Sequence, residues 1–160
     1  MGDEHPPPGT PPPVVESARQ AADFSDLLQE LRVLLQGAQV LTAFLIVLPF
    51  NAGFARLQPG EKWVYLATFA CSLASLILFS APAAQHRLEW PLRDRAHFKQ
   101  FATRMVITGL VPLSLSLVLV TQLVVAQTLG SGQAVLAAAG TAALIGAVWW
   151  LFPLLWRRTI

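Results

Sequence analysis

At 160 residues, the chain is 54% hydrophobic and only 12% charged, far below the roughly 25% charged residues of a soluble domain. That balance excludes an ordinary water-soluble fold. The 11 basic and 9 acidic residues give a small net charge of +2, and no nucleic-acid partner is expected; a single cysteine excludes an intrachain disulfide.

Residues 1–22 read as a disordered Pro-rich tail. The run Pro6-Pro7-Pro8-Gly9-Thr10-Pro11-Pro12-Pro13 opposes a helix, because proline lacks the amide donor and its ring clashes with the preceding turn. It is either a solvated leader or a ligand for a proline-recognising domain. Asp3 and Glu4 stand where a cleavable signal peptide would be basic and then apolar. A helix is expected to start near Asp23 or Ser25, either of which can cap, with Asp26 favourably placed in its first turn. Leu27, Leu28, Leu31, Leu34 and Leu35 then recur at helical spacing, interleaved with Gln29, Glu30, Arg32 and Gln36. This part reads as an amphipathic extension of the first membrane helix.

Two runs free of Asp, Glu, Lys, Arg and His follow, Val33 to Ala55 and Trp63 to Gln85, of 23 residues each. Either could cross a hydrocarbon core about 30 Å thick. In the 83–104 loop, Pro91 suits a first helical position, and Phe98, Phe101 and Met105 share one face of a helix feeding the next span. Met105 to Trp156 then runs 52 residues without a charge, about twice the length of one crossing. Leu129-Gly130-Ser131-Gly132-Gln133 breaks this run into two. The spans are expected near 33–51, 63–82, 105–127 and 134–155, within one domain covering 23–158. The runs do not alternate, so helices are favoured over a barrel. The expected fold class is therefore all-α, an integral membrane four-helix bundle. Pro49, Pro82 and Pro153 are expected at helix exits, and Pro112 as a kink.

Four spans put both ends on one side. That side holds nine basic residues (Arg19, Arg32, Arg87, Arg93, Arg95, Lys99, Arg104, Arg157 and Arg158), against Arg56 and Lys62 on the other. The bias predicts that both termini are cytoplasmic. Trp63 and Tyr65 would mark the outer interface, with Trp149, Trp150 and Trp156 toward the inner one. Asp26 and Glu30 are expected to form salt bridges with Arg93, Arg95, Lys99 and Arg104 at the cytoplasmic surface, each contributing about 0–1 kcal/mol.

Three features are candidates for function. Gln29, Arg32, Gln36 and Gln39 follow a 3-4-3 spacing that keeps them on one helix face. Within lipid, such amides need partners. The stripe is an internal bundle bond, a self-association face or a polar entrance for a solute. In the fourth span, Ala138, Ala142 and Gly146 form a small-residue packing face, serving either the monomer or a neighbour. Cys71 sits with Ala67 and Ser75 in a small-residue stripe of the second span. His86 and His97 lie in an Arg-rich loop and read as surface groups. No metal-ligand cluster, phosphate loop or nucleophile–base pair stands out, so no enzymatic activity, cofactor or metal is expected.

Leu27-Leu28-Gln29-Glu30-Leu31-Arg32-Val33, Gln36-Gly37-Ala38-Gln39-Val40-Leu41 and Ala43-Phe44-Leu45 carry a likeness. So do Leu48-Pro49-Phe50 with Phe54 and Leu57, Tyr65-Leu66, and Ala81-Pro82-Ala83 with His86-Arg87. From Asp26 to Gly130 the chain resembles an uncharacterised bacterial family of small four-span membrane proteins, a domain of unknown function. Some members carry the label sodium:proton antiporter. The resemblance implies a multi-pass fold in the bacterial inner membrane and no established chemistry. Relatives often look acidic near the outer end of the third span, whereas Gln122 to Gly130 here has no acid. Proton-coupled cation exchange normally uses a carboxylate near midplane. The nearest acids here, Glu30 and Glu61, sit at opposite boundaries. The expected role is a small structural, accessory or interaction subunit. The alternative is a small oligomeric transporter or channel. Its partners would be the lipid bilayer and either a second copy, making a homo-oligomer, or another membrane protein.

Overall fold

A computed structural model describes residues 13–88 and 95–156. Four apolar helical rods fill it: α1 (Pro13–Val47), α2 (Pro59–Leu88), α3 (Arg95–Leu129) and a fourth that begins as α4 (Ser131–Ile145). The fourth continues through a π turn, Gly146–Leu151, into α5 (Phe152–Trp156). Each rod contains a segment long and apolar enough to cross a membrane: Ser25–Phe50, Pro59–Gln85, Gln100–Leu129 and Ser131–Leu151. The chain is a multi-pass helical membrane protein.

The helices extend beyond the expected spans at most ends, although α1 stops at Val47, short of residue 51. Backbone helix is already present from Pro13, well before Asp23. Proline is tolerated in a first helical turn, where its missing N–H has no partner to lose. Residues 1–12 of the expected tail and Pro91 lie outside the described residues. Ser25 does not cap; its hydroxyl donates back to the Ala22 carbonyl at 2.7 Å, as a serine within a helix does. Pro82 does not end α2, which continues to Leu88 with Pro82 enclosed in its interior. Pro49 does mark an exit, opening the 3-10 turn Leu48–Phe50 after α1.

Pro153 acts differently again. It has no N–H to pair with the carbonyl four residues back, and its ring would strike that turn. The preceding turn widens to π geometry, and the Phe152 amide donates to the Ala147 carbonyl, five residues earlier.

Helices adjacent in the chain are adjacent in space. α1 packs on α2, α2 on α3 and α3 on α4, while α1 touches α3 only lightly and makes no close backbone contact with α4 among the described residues. Paired residues fix an antiparallel register. Tyr65 near the start of α2 meets Leu45 near the end of α1, and Glu61 meets Gln127 at the end of α3. The α3–α4 turn is one residue, Gly130, at φ +97° and ψ 169°, a conformation open essentially to glycine alone.

The interior is built around α2. Tyr65, Thr68, Ser72, Ser75, Phe79 and Pro82 recur at alternating steps of three and four, and all are buried. Small hydroxyl residues let backbones approach closely in lipid, where association rests on contact rather than on expelling water. Every hydroxyl in this seam is satisfied. Thr42 donates to the Ala38 carbonyl at 2.8 Å and lies 2.6 Å from the Ser72 hydroxyl; a hydroxyl has one proton, so Ser72 is the donor between them. Ser116 of α3 donates across to the Thr68 carbonyl at 3.2 Å, and Ser75 donates to the Ser72 carbonyl at 2.8 Å. The buried stripe is therefore offset by one residue from Ala67 and Cys71, which are exposed and half-buried respectively.

Two apolar clusters flank the seam. Leu31, Ala38, Phe79 and Leu113 form the one nearer the chain termini, with Trp149 packed against it. Leu45, Tyr65 and Leu123 form the other. Tyr65 and Trp149 are thus packing residues rather than interfacial anchors. Tyr65 donates its hydroxyl to the Leu45 carbonyl at 2.9 Å and meets Phe54 edge-on. Trp63, 72% exposed, is the aromatic placed to meet headgroups.

Candidate functional site

α1 turns Leu31, Ala38, Thr42 and Leu45 inward. The helical period then decides what its remaining surface carries. Gln29, Arg32, Gln36 and Gln39 all lie exposed on the outside of the bundle. None has a hydrogen-bond or ion-pair partner among the described residues. An internal bundle bond was one expectation for this stripe, and the rotational phase of α1 rules it out. The hydroxyls of Thr42, Thr68, Ser72, Ser75 and Ser116 make the interior polar contacts instead. Their signal in the sequence is the three-four spacing through the second span.

At the opposite end of the rods, the light contact between α1 and α3 leaves a cleft of about 430 Å³. Leu41, Phe44, Leu45 and Leu48 line one side and Val120, Leu123 and Val124 the other, with Asn51, Gln127 and Thr128 among its polar residues. Its α1 wall is a different face from the glutamine stripe.

Beside this cleft Glu61 performs two tasks. Its Oε2 accepts from the Gln58 amide at 2.8 Å, and the Lys62 amide donates to the Gln58 carbonyl at 3.1 Å. This is the reaching-back half of a capping box at the start of α2. Its Oε1 accepts from Gln127 Nε2 at 2.6 Å, which ties the start of α2 to the end of α3.

The other candidate groups separate. Ala138 is buried, Gly146 half-buried and Ala142 exposed, and the covered small residues of α4 are Ala134 and Ala138. Asp26, Glu30 and Arg104 are exposed, and no ion pair joins them among the described residues. Arg93 and the side chains of Arg95 and Lys99 lie outside the described residues. Among the described residues no group of three or more His, Cys, Asp or Glu is placed to hold a metal ion. Among the described residues, the outward face of α1 gathers four polar side chains without partners on one line.

Comparison with known proteins adds one match. A family model described as a family of unknown function, DUF6328, matches residues 15–153. No curated protein and no solved structure matches the chain.

Proposed function

The chain belongs to the DUF6328 family, and from that premise we propose that it is a small interaction subunit, docking within the membrane through the polar face of α1. One observation carries this reading. Gln36 and Gln39 lie inside the apolar segment Ser25–Phe50, exposed and without partners among the described residues. A primary amide facing hydrocarbon without a hydrogen bond costs several kcal/mol. A docked polypeptide removes that cost, whereas lipid tails do not.

The membrane is proposed to be the bacterial inner membrane, with both chain ends cytoplasmic. Nine basic residues on the side of the termini against two on the other support that orientation. The protein would act by holding and positioning a neighbour, without catalysis of its own. A photo-crosslinking residue at Gln36 is expected to capture polypeptide in native membranes, and one at Leu144 on α4 to capture lipid. Lipid adducts alone at both positions would remove the reading.

A further inference from the structure

The polar face of α1 extends further than its amides. Gln29, Arg32, Gln36, Gln39, Ala43 and Ile46 follow one another at steps of three, four, three, four and three, and all six are exposed. Alternating steps of three and four are the heptad spacing. On a straight helix they drift only about 20° per seven residues, and a slight left-handed winding of two helices keeps them facing each other. From Gln29 to Ile46 the line spans about 25 Å at 1.5 Å per residue, and its part beyond Arg32, Gln36 to Ile46, covers about 15 Å, or half of one hydrocarbon core.

The chemistry of the line is self-complementary. A glutamine side chain carries both a donor pair and an acceptor, so the same residue on a second copy answers it. Copies of one protein share an orientation in the membrane. A two-fold axis along the membrane normal therefore brings each residue opposite itself at the same depth. Gln36 meets Gln36 and Gln39 meets Gln39, while Ala43 leaves room for the backbones to close and Ile46 packs on itself. Arg32 stands at the charge-free boundary, where its head reaches toward water. The axis also sets Arg32 opposite Arg32, so the two like charges must diverge toward water. Each head can donate to the amide oxygens of Gln29 and Gln36 across the axis, one turn to either side.

On α3 the polar groups of the apolar zone are isolated, Thr108 exposed and Gln122 half-buried, and form no continuous line. Exposed positions on α3 and α4 in the apolar zone include Ile107, Val111, Leu115, Val135, Leu144 and Val148, none of which can accept or donate a side-chain hydrogen bond. Another copy docking by those faces would leave the amides unpaired.

We infer that α1 pairs in parallel with α1 of a second copy through this heptad line, glutamine against glutamine, making the protein a two-fold dimer in the membrane. The inference rests on the docking reading above and names its occupant.

The test uses the full chain in native membranes, with Cys71→Ser as background. Single variants Gln36→Cys, Gln39→Cys, Ala43→Cys and Ile46→Cys should oxidise to covalent dimers. Val33→Cys and Val40→Cys, on the flank of the line, and Phe44→Cys, further round the helix, should give markedly less. In the same membranes Gln36→Leu with Gln39→Leu should lower the dimer fraction about tenfold with the helical circular dichroism unchanged. Maximal crosslinking at 33, 40 or 44, equal crosslinking everywhere or none would overturn the dimer. If the photo-crosslinker at Gln36 then captured a different polypeptide, docking would stand and only the second copy would fall. Lipid adducts alone would remove both.

Discussion

At Gly109, α3 packs directly against Phe79 of α2. A Cβ there would lie 2.6 Å from Phe79 Cε1 and 2.9 Å from Phe79 Cδ1, and Phe79 is only 1% exposed, so the ring has nowhere to move. Gly109→Ala should therefore destabilise the bundle by about 1–3 kcal/mol through overpacking, read as an earlier unfolding midpoint in mixed micelles. Phe79→Leu in the same chain should recover part of that loss if the clash is its cause. The sequence does not single this glycine out, because Gly37 and Gly140 also sit in apolar helices and a Cβ on either would meet nothing within 4 Å. Glu61 was legible as an acid at a membrane boundary, but its partners were not. Removing both of its hydrogen bonds with Glu61→Ala should cost about 1–2 kcal/mol, and Gln127→Ala should add little on top of it at their shared contact. Full additivity of the two substitutions in a double-mutant cycle would show that the 2.6 Å contact contributes nothing.

Among the elements, the α3–α4 turn was the most readable. Its Gly-rich break stands out within 52 uncharged residues, and the structure narrows it to Gly130 alone. Gly130→Ala meets open space but an unsuitable backbone, so it should cost roughly 1–3 kcal/mol. Gly132→Ala, inside the first turn of α4, should be neutral or stabilise by up to about 1 kcal/mol. Comparable losses for the two would show that the positive φ is not what matters. The prolines were less readable. Pro49, Pro82 and Pro153 look alike in sequence, yet one opens a 3-10 turn, one lies enclosed within a continuing helix and one follows a π turn. What separates them is the packing around each, which supports α2 past Pro82 but leaves the end of α1 at Pro49 in a turn.

For the whole molecule, the antiparallel register of four rods predicts that cysteines introduced near Ser25 and Phe152 share one side of the membrane, and one introduced at Ser131 lies on the other. Labelling with an impermeant maleimide checks this, and opposite accessibility for Ser25 and Phe152 would undo the topology. The number of crossings follows from sequence alone, because hydrocarbon rejects an ionised side chain wherever it occurs along the chain. That penalty is local, so it can be read residue by residue without knowing any contact. The rotation of each helix about its own axis is another matter. In water, the apolar stripe of a helix points to the core; in lipid, inner and outer faces are both apolar, and the stripe loses its meaning. The small hydroxyl residues of α2 could turn inward, Tyr65 could leave the interface for the core and the glutamines of α1 could face out only once the four rods had packed against one another. The tertiary structure alone decided those orientations, since close contact between backbones, rather than aversion to solvent, selects which face is buried.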